Sequence, residues 1–260
     1  MGSELLEVRR SGAVAYVALT RPEVRNAFNA ELIAELHTTF DELATDDAVR
    51  VIVLAGRGNV FSAGADVHWM RASLDLSEAE NLADARRMSR MFRSIDGVPK
   101  VVVGRIHGAA LGGGAGLVAV CDVALAAEDT AFGFTETKLG IMPAVISPFV
   151  LAKIGPSHAR ALALTGERFD ARRALAIGLV HEVVAQDALD AAVDRVVREA
   201  LSASPTGVAA TKGLLRSVRE HAYAETLELT SSAIAAQRTS AEGQEGLRAF
   251  IERRPAAWAR

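Results

Sequence analysis

The most apolar stretch of the chain, Ile106 to Val120, is also among its richest in glycine: five glycines and His107 interrupt it. A run broken in this way cannot serve as a membrane span, which needs roughly 18 or more continuous apolar residues. Glycine lets backbone come close to other groups and accepts conformations closed to other residues. The region therefore reads as a strand at Lys100-Val101-Val102-Val103, a turn from Gly108 to Gly114, a buried helix from Ala115 to Val120, and a further strand at Val123-Ala124-Leu125.

The flanking sequence fits an α/β chain. Val14 to Leu19 alternates like a half-buried strand. Asn29 is placed to cap a helix whose apolar stripe is Leu32, Ile33, Leu36, Phe40 and Leu43, and Val51-Ile52-Val53-Leu54 reads as a buried strand. Residues 77–95 read as a surface helix. Pro143 and Pro148 each disfavour helix at the residue before. From 187 onward the pattern is helical, with Asp187 and Thr239 as expected N-caps, the latter followed by Glu242 as in a capping box. No fixed-period repeat or low-complexity linker appears, so the expectation is a single α/β domain with a helical C-terminal part.

With 260 residues, half of them hydrophobic, the chain can bury a substantial core. Its 29 basic residues, lysine only at 100, 138, 153 and 212, are scattered among 32 acids. That is a mixed solvated surface and not the basic stripe of a nucleic-acid binder. One cysteine, Cys121, excludes an intrachain disulfide and a cysteine-rich zinc site. The N-terminus lacks signal-peptide features, so a cytoplasmic location is expected. Neither nucleic acid nor membrane is expected as a partner.

Two loops stand out chemically. Leu111-Gly112-Gly113-Gly114-Ala115-Gly116 opens a helix, so its unpaired N–H groups and positive dipole end face whatever lies in front. The alternative is glycine needed only for close helix packing. The spacing fails the G-x-G-x-x-G test at Leu117, and no Gly-Lys-Ser or Gly-Lys-Thr follows. Ala63-Gly64-Ala65-Asp66 is a second such loop, and together the two can converge N–H donors on one developing oxyanion. Glu136, among apolar residues, is a proton-transfer candidate if buried and a strand-end surface glutamate if not. His68, His107 and His158 are isolated, so no metal is expected. No Gly-x-Ser-x-Gly elbow occurs, and Cys121 reads as core.

Arg21-Pro22-Glu23-Val24-Arg25-Asn26-Ala27-Phe28-Asn29, Phe61 to Asp66, His107 to Gly114, Cys121-Asp122, and Phe132-Gly133 with Glu136 and Leu139-Gly140 resemble, in order, the enoyl-CoA hydratase/isomerase (crotonase) family. The likeness runs on through Leu164 to Phe169 and Gly178-Leu179-Val180 to Glu245 to Phe250. It implies a spiral of strand-strand-helix repeats forming two roughly perpendicular sheets over 1–200. Residues 201–260 would be a C-terminal helical trimerisation region, giving a homotrimer or homohexamer. The substrate would be an acyl-CoA, with CoA part of the substrate and no separate cofactor. By position, Ala65 and Gly113 match the oxyanion-hole donors and Glu136 the catalytic acid. Arg25, Ala27, Ala63, Asp66 and Val67 match the CoA-holding segments, and Phe250 and Arg253 match C-terminal positions that reach a CoA.

One departure matters. Two-glutamate hydratases carry an acid three residues after the oxyanion-hole glycine, where this chain has Gly116. Residues 136–148 together with 112–117 are most similar to the bacterial methylglutaconyl-CoA hydratase-like branch, whose members can also lack that acid. The resemblance thus implies a hydratase-type lyase for methylglutaconyl-CoA or a related branched enoyl-CoA. A one-glutamate double-bond isomerase and an inactive acyl-CoA-binding protein are the alternatives.

Overall fold

Beyond the hairpin β1 (Leu6–Ser11) and β2 (Val14–Leu19), the chain follows helix α1 (Ala30–Thr45) to β3 (Val51–Gly56). The structure, a computed structural model, describes residues 5–259. Asn29 caps α1, its side chain accepting from the Leu32 amide at 2.9 Å, and the predicted stripe from Leu32 to Leu43 is the buried face. Helices α2 (Val67–Ser73) and α3 (Glu78–Gly97) follow, and Ser77 and Glu80 close a capping box on α3.

Two successive strand-strand-helix units come next. In the first, β4 (Val101–Ile106) and β5 (Ala109–Leu111) lead into α4 (Gly113–Val120). In the second, β6 (Val123–Ala127) and β7 (Ala131–Gly133) lead into α5 (Ser147–Thr165). Each unit sends its first strand to a six-stranded sheet and its second to a three-stranded one. After β8 (Arg168–Asp170), α6 (Ala171–Ala176) and β9 (Glu182–Val184), the large sheet has the order β1-β2-β3-β4-β6-β9, parallel except at β1/β2. The small sheet has the order β5-β7-β8. The chain ends in α7 (Leu189–Ser202), α8 (Pro205–Glu220), α9 (Thr226–Thr239) and α10 (Ala241–Ile251), helical as expected.

Several local expectations change. Strand β2 is buried on both faces: Ala15, Val17 and Leu19 enter the main core, while Val14 joins Val51, Val53, Val103 and Leu125 beneath α7. Alternation therefore understates its burial, because α7 returns from far along the chain to cover the second face. Asp187 lies inside a short 3-10 turn and does not cap α7. Thr239 ends α9, and Ser240 caps α10. Glu242 reaches across instead to Ser204 Oγ and to the amide and hydroxyl of Thr206. Pro148 sits in the first turn of α5, where its missing N–H costs nothing, so Ser147 before it is helical. Gly155, at φ 74°, breaks α5 just before Pro156.

Among the described residues no helix is long and apolar enough to cross a membrane. The last three helices pack chiefly on one another. Arg50, at the start of β3, ties the chain end to the core by donating to the carbonyls of Trp258, Leu201 and Ala203 at 2.8, 2.6 and 2.7 Å. A hydrogen bond to a charged group contributes about 1.5–3 kcal/mol net, and bonds that share one guanidinium do not add. Arg50→Met is expected to destabilise the protein by about 2–3 kcal/mol, measured as a lowered urea midpoint at unchanged m. An unmoved midpoint would show the three contacts to be incidental.

Candidate active site

Three chain segments run side by side in parallel and then leave the small sheet together. Ser62 bridges Ala110, and Ala110 pairs with Phe132. Three residues beyond the first two lie Ala65 and Gly113, and four beyond the third lies Glu136. All three line one cavity of about 400 Å³, beyond the carboxyl ends of the strands, where open parallel sheets offer room to ligands.

Hydrogen bonds hold the loops. The Ser62 amide donates to Ala109, the Leu111 amide to Ser62, and the Gly112 amide to Gly133 at 2.8 Å. On the other side the Phe28 amide donates to Gly64, and the Asp66 amide to Phe28. Gly64 (φ 90°) must be glycine, since a Cβ there would press to 2.7 Å on the Leu111 carbonyl. That same point lies 3.5 Å from the Gly113 nitrogen, so the two loops touch. A Cβ on Gly112 (φ 51°) would meet Glu136 Oε1 at 3.2 Å, which places the carboxyl group beside the start of α4. Among the described residues, the N–H groups of Ala65 and Gly113 have no acceptor within the protein. Such amides can hold a negative oxygen without reorganising.

Glu136 begins a 3-10 turn, Glu136–Leu139, just past β7; the Thr137 hydroxyl donates to the Ala163 carbonyl of α5 at 2.9 Å. Glu136 Oε2 is buried and has no hydrogen-bond partner. Burial raises its carboxyl above the ordinary value, opposed only by the residue's own amide. It is thus not the solvated strand-end glutamate.

Asp66 is occupied internally. Its carboxylate pairs with Arg21 at 2.8 Å and accepts from the His68 amide at 2.8 Å, capping α2. Burial works to raise it, but the His68 amide and Arg21 outweigh that and hold it below the ordinary value. Ala63 lines the cavity, whereas Arg25, Ala27, Val67, Phe250 and Arg253 do not. Phe250, on α10, is 84% exposed. Cys121 is core, its thiol pushed up to about 12 by burial. Among the described residues no group of three His, Cys, Asp or Glu is placed to hold a metal. A larger cavity of about 560 Å³ lies away from this chemistry. In its charged lining Arg57 pairs with Glu7 and Arg105 with Asp190, while Arg9 lies over the Tyr16 ring.

A family model for enoyl-CoA hydratase/isomerase matches residues 9–260. The chain belongs to that enzyme family. The crystal structure of an enoyl-CoA hydratase from Shewanella pealeana ATCC 700345 is 40% identical with a TM-score of 0.94, covering 98% of this chain and 96% of that one. Pseudomonas aeruginosa AtuE is 36% identical with a TM-score of 0.95, covering 99% and 100%. The 2,3-dehydroadipyl-CoA hydratase of Escherichia coli K12 is 32% identical over 253 residues, 97% of each chain. The fold is therefore the crotonase fold.

Within this family the environment of Gly116 is informative. It is buried, and a Cβ there would overlap Ile146 Cγ2 and lie 3.1 Å from Phe92 Cε1. The space an acid would need is filled with hydrocarbon. Phe28 was visible in the sequence only as part of a motif. In the structure its ring lies where a Cβ on Gly113 would reach 2.5 Å, and its backbone bonds the loop on both sides of Ala65. Trp69 and Met70 on α2, Met88 on α3 and Ile146 before α5 also line the cavity, with no local signal to mark them.

The Glu136 carboxyl has a raised folded value and an ordinary unfolded one. Its burial therefore costs nothing below the unfolded value and costs most above the folded value. Glu136→Gln is expected to melt at a higher temperature than the parent above neutral pH, with the gain vanishing towards pH 4. A gain independent of pH would contradict the buried-acid assignment.

Proposed function

We propose that the protein is a hydro-lyase that adds water to a branched α,β-unsaturated acyl-CoA. The observation that carries this reading is a buried carboxyl oxygen without a partner, in the same cavity as two backbone amides without acceptors. The thioester carbonyl oxygen accepts from the Ala65 and Gly113 amides. Water attacks the β-carbon, and the double-bond electrons move onto that oxygen as an enolate, where two aligned donors stabilise the charge by several kcal/mol. Glu136, whose carboxyl burial makes a weaker acid, gives its proton to the α-carbon. The carboxylate left behind takes the proton of the newly added oxygen, so one water is added and the acid is restored. Trp69, Ser73, Asn81, Asp84 and Thr135 also bring polar side chains to the lining, with Asp84 paired to Arg87 and the Ser73 hydroxyl donating to the Met70 carbonyl.

The residue pattern suggests methylglutaconyl-CoA or a related thioester. Among the described lining residues there is no lysine or arginine to pair with a free substrate carboxylate, which favours an uncharged branched relative. In this reading Arg25, Ala27, Ala63, Asp66 and Val67 hold CoA, Asp66 by shaping its loop. Phe250 and Arg253 serve the CoA of a neighbouring subunit. Exposed Leu227, Phe250 and Ile251 on α9 and α10 support a helical trimerisation region over 201–260, beside a core of 1–200, in a homotrimer or homohexamer.

The test is incubation with methylglutaconyl-CoA and an uncharged branched enoyl-CoA in oxygen-18 water. The label is expected in the 3-hydroxyacyl product, and Glu136→Gln is expected to lower turnover by about 10²- to 10⁴-fold while still binding the thioester. Turnover unchanged in that variant would reject the mechanism.

Gly116 supports a second reading, double-bond isomerisation, because one carboxylate suffices to carry a proton between the α- and γ-carbons. The pH profile separates the two. Hydration needs protonated Glu136, so kcat/KM is expected to fall as pH rises through its raised value. Isomerisation begins with the carboxylate, and kcat/KM would instead fall as pH drops through that value.

A further inference from the structure

Beside the active cavity lies a second chamber of about 210 Å³, partly open to the surface, lined by Phe134, Val150, Leu151, Ala159 and Ala163 with the stems of Ser147 and Arg160. What it exposes is hydrocarbon. Pro143 and Ile146 line both spaces, so these two residues form the partition between them. Ile146 is buried and immediately precedes α5, and its γ-methyl group fills the volume beside Gly116 that a longer residue at 116 would claim. One side chain thus replaces an acid with hydrocarbon and closes off an apolar space next to the substrate.

We propose that Ile146 sets the upper limit on acyl-chain length. It confines the parent enzyme to short or compactly branched tails, and the chamber behind it is where a longer alkyl tail would go if the partition were shortened. The inference rests on the acyl-thioester reading of the cavity. A change of about one methylene in an apolar pocket discriminates substrates by about 10- to 200-fold, so removing most of the Ile146 side chain has a measurable effect.

The experiment compares kcat/KM for trans-2-decenoyl-CoA and crotonyl-CoA in the parent, in Ile146→Ala, and in Ile146→Ala combined with Ala163→Phe, which fills the chamber from α5. Ile146→Ala is expected to raise the long-to-short ratio at least tenfold, and Ala163→Phe to return it towards the parent. An unmoved ratio would overturn the proposal. So would a raised ratio that survives Ala163→Phe, since the extra room would then be the space beside Gly116 and not the chamber. Ile146→Val, with a smaller rise expected, serves if the alanine variant does not fold. Calorimetric binding of the saturated decanoyl- and butanoyl-CoA thioesters should follow the same pattern without any turnover. A shift in their affinity ratio with no reaction on either enoyl thioester would leave the tail chamber standing and count against the hydro-lyase reading alone.

Discussion

The site depends on parallel register. Ser62, Ala110 and Phe132 lie abreast, held by backbone hydrogen bonds, and each of their segments then leaves the sheet in the same direction. Two amides and a carboxyl group arrive in one cavity because their strands were aligned a few residues earlier. Phe28 fastens the outer side: its backbone holds Gly64 and Asp66, and its ring lies against Gly113. Slippage by one residue in any of these pairings would turn an amide or an acid away from the cavity.

The neighbourhood of Glu136 is governed by dehydration. Ile146, Phe92 and Phe28 pack around the start of α4, Phe28 and Phe92 meeting edge to face at 6.3 Å. A second carboxylate here would need a partner that the surrounding hydrocarbon does not offer. Burial also raises the remaining acid, Glu136, above its ordinary value, so dehydration shapes both positions.

Local chemistry was legible in the sequence and distant pairing was not. The cap at Asn29, the stripe of α1 and the core position of Cys121 each follow from a few adjacent residues, and the structure has them; the turn expected over Gly108–Gly114 instead holds strand β5 and the start of α4, because Ala109–Leu111 pairs with β7, 22 residues on. The second buried face of β2 depends on α7, more than 150 residues later. Asp66 spends its carboxylate on Arg21, 45 residues earlier, and Gly116 owes its surroundings to Ile146, 30 residues later. At Thr239 the capping-box spacing was present but shifted by one, and Glu242 found better donors at Ser204 and Thr206. Order of motifs revealed the family, whereas the shape of the cavity required the folded chain.

The two oxygen-binding groups proposed for this enzyme belong to the main chain, and that has an evolutionary consequence. Exchanging the side chain at 65 or 113 reshapes the surroundings but leaves an N–H in place; only proline deletes one outright. Acidic side chains, by contrast, come and go by single codon changes. A lineage built on this scaffold can therefore discard or relocate its proton carriers and still retain a grip on the thioester, which gives new reactions a foothold before any new acid has been refined.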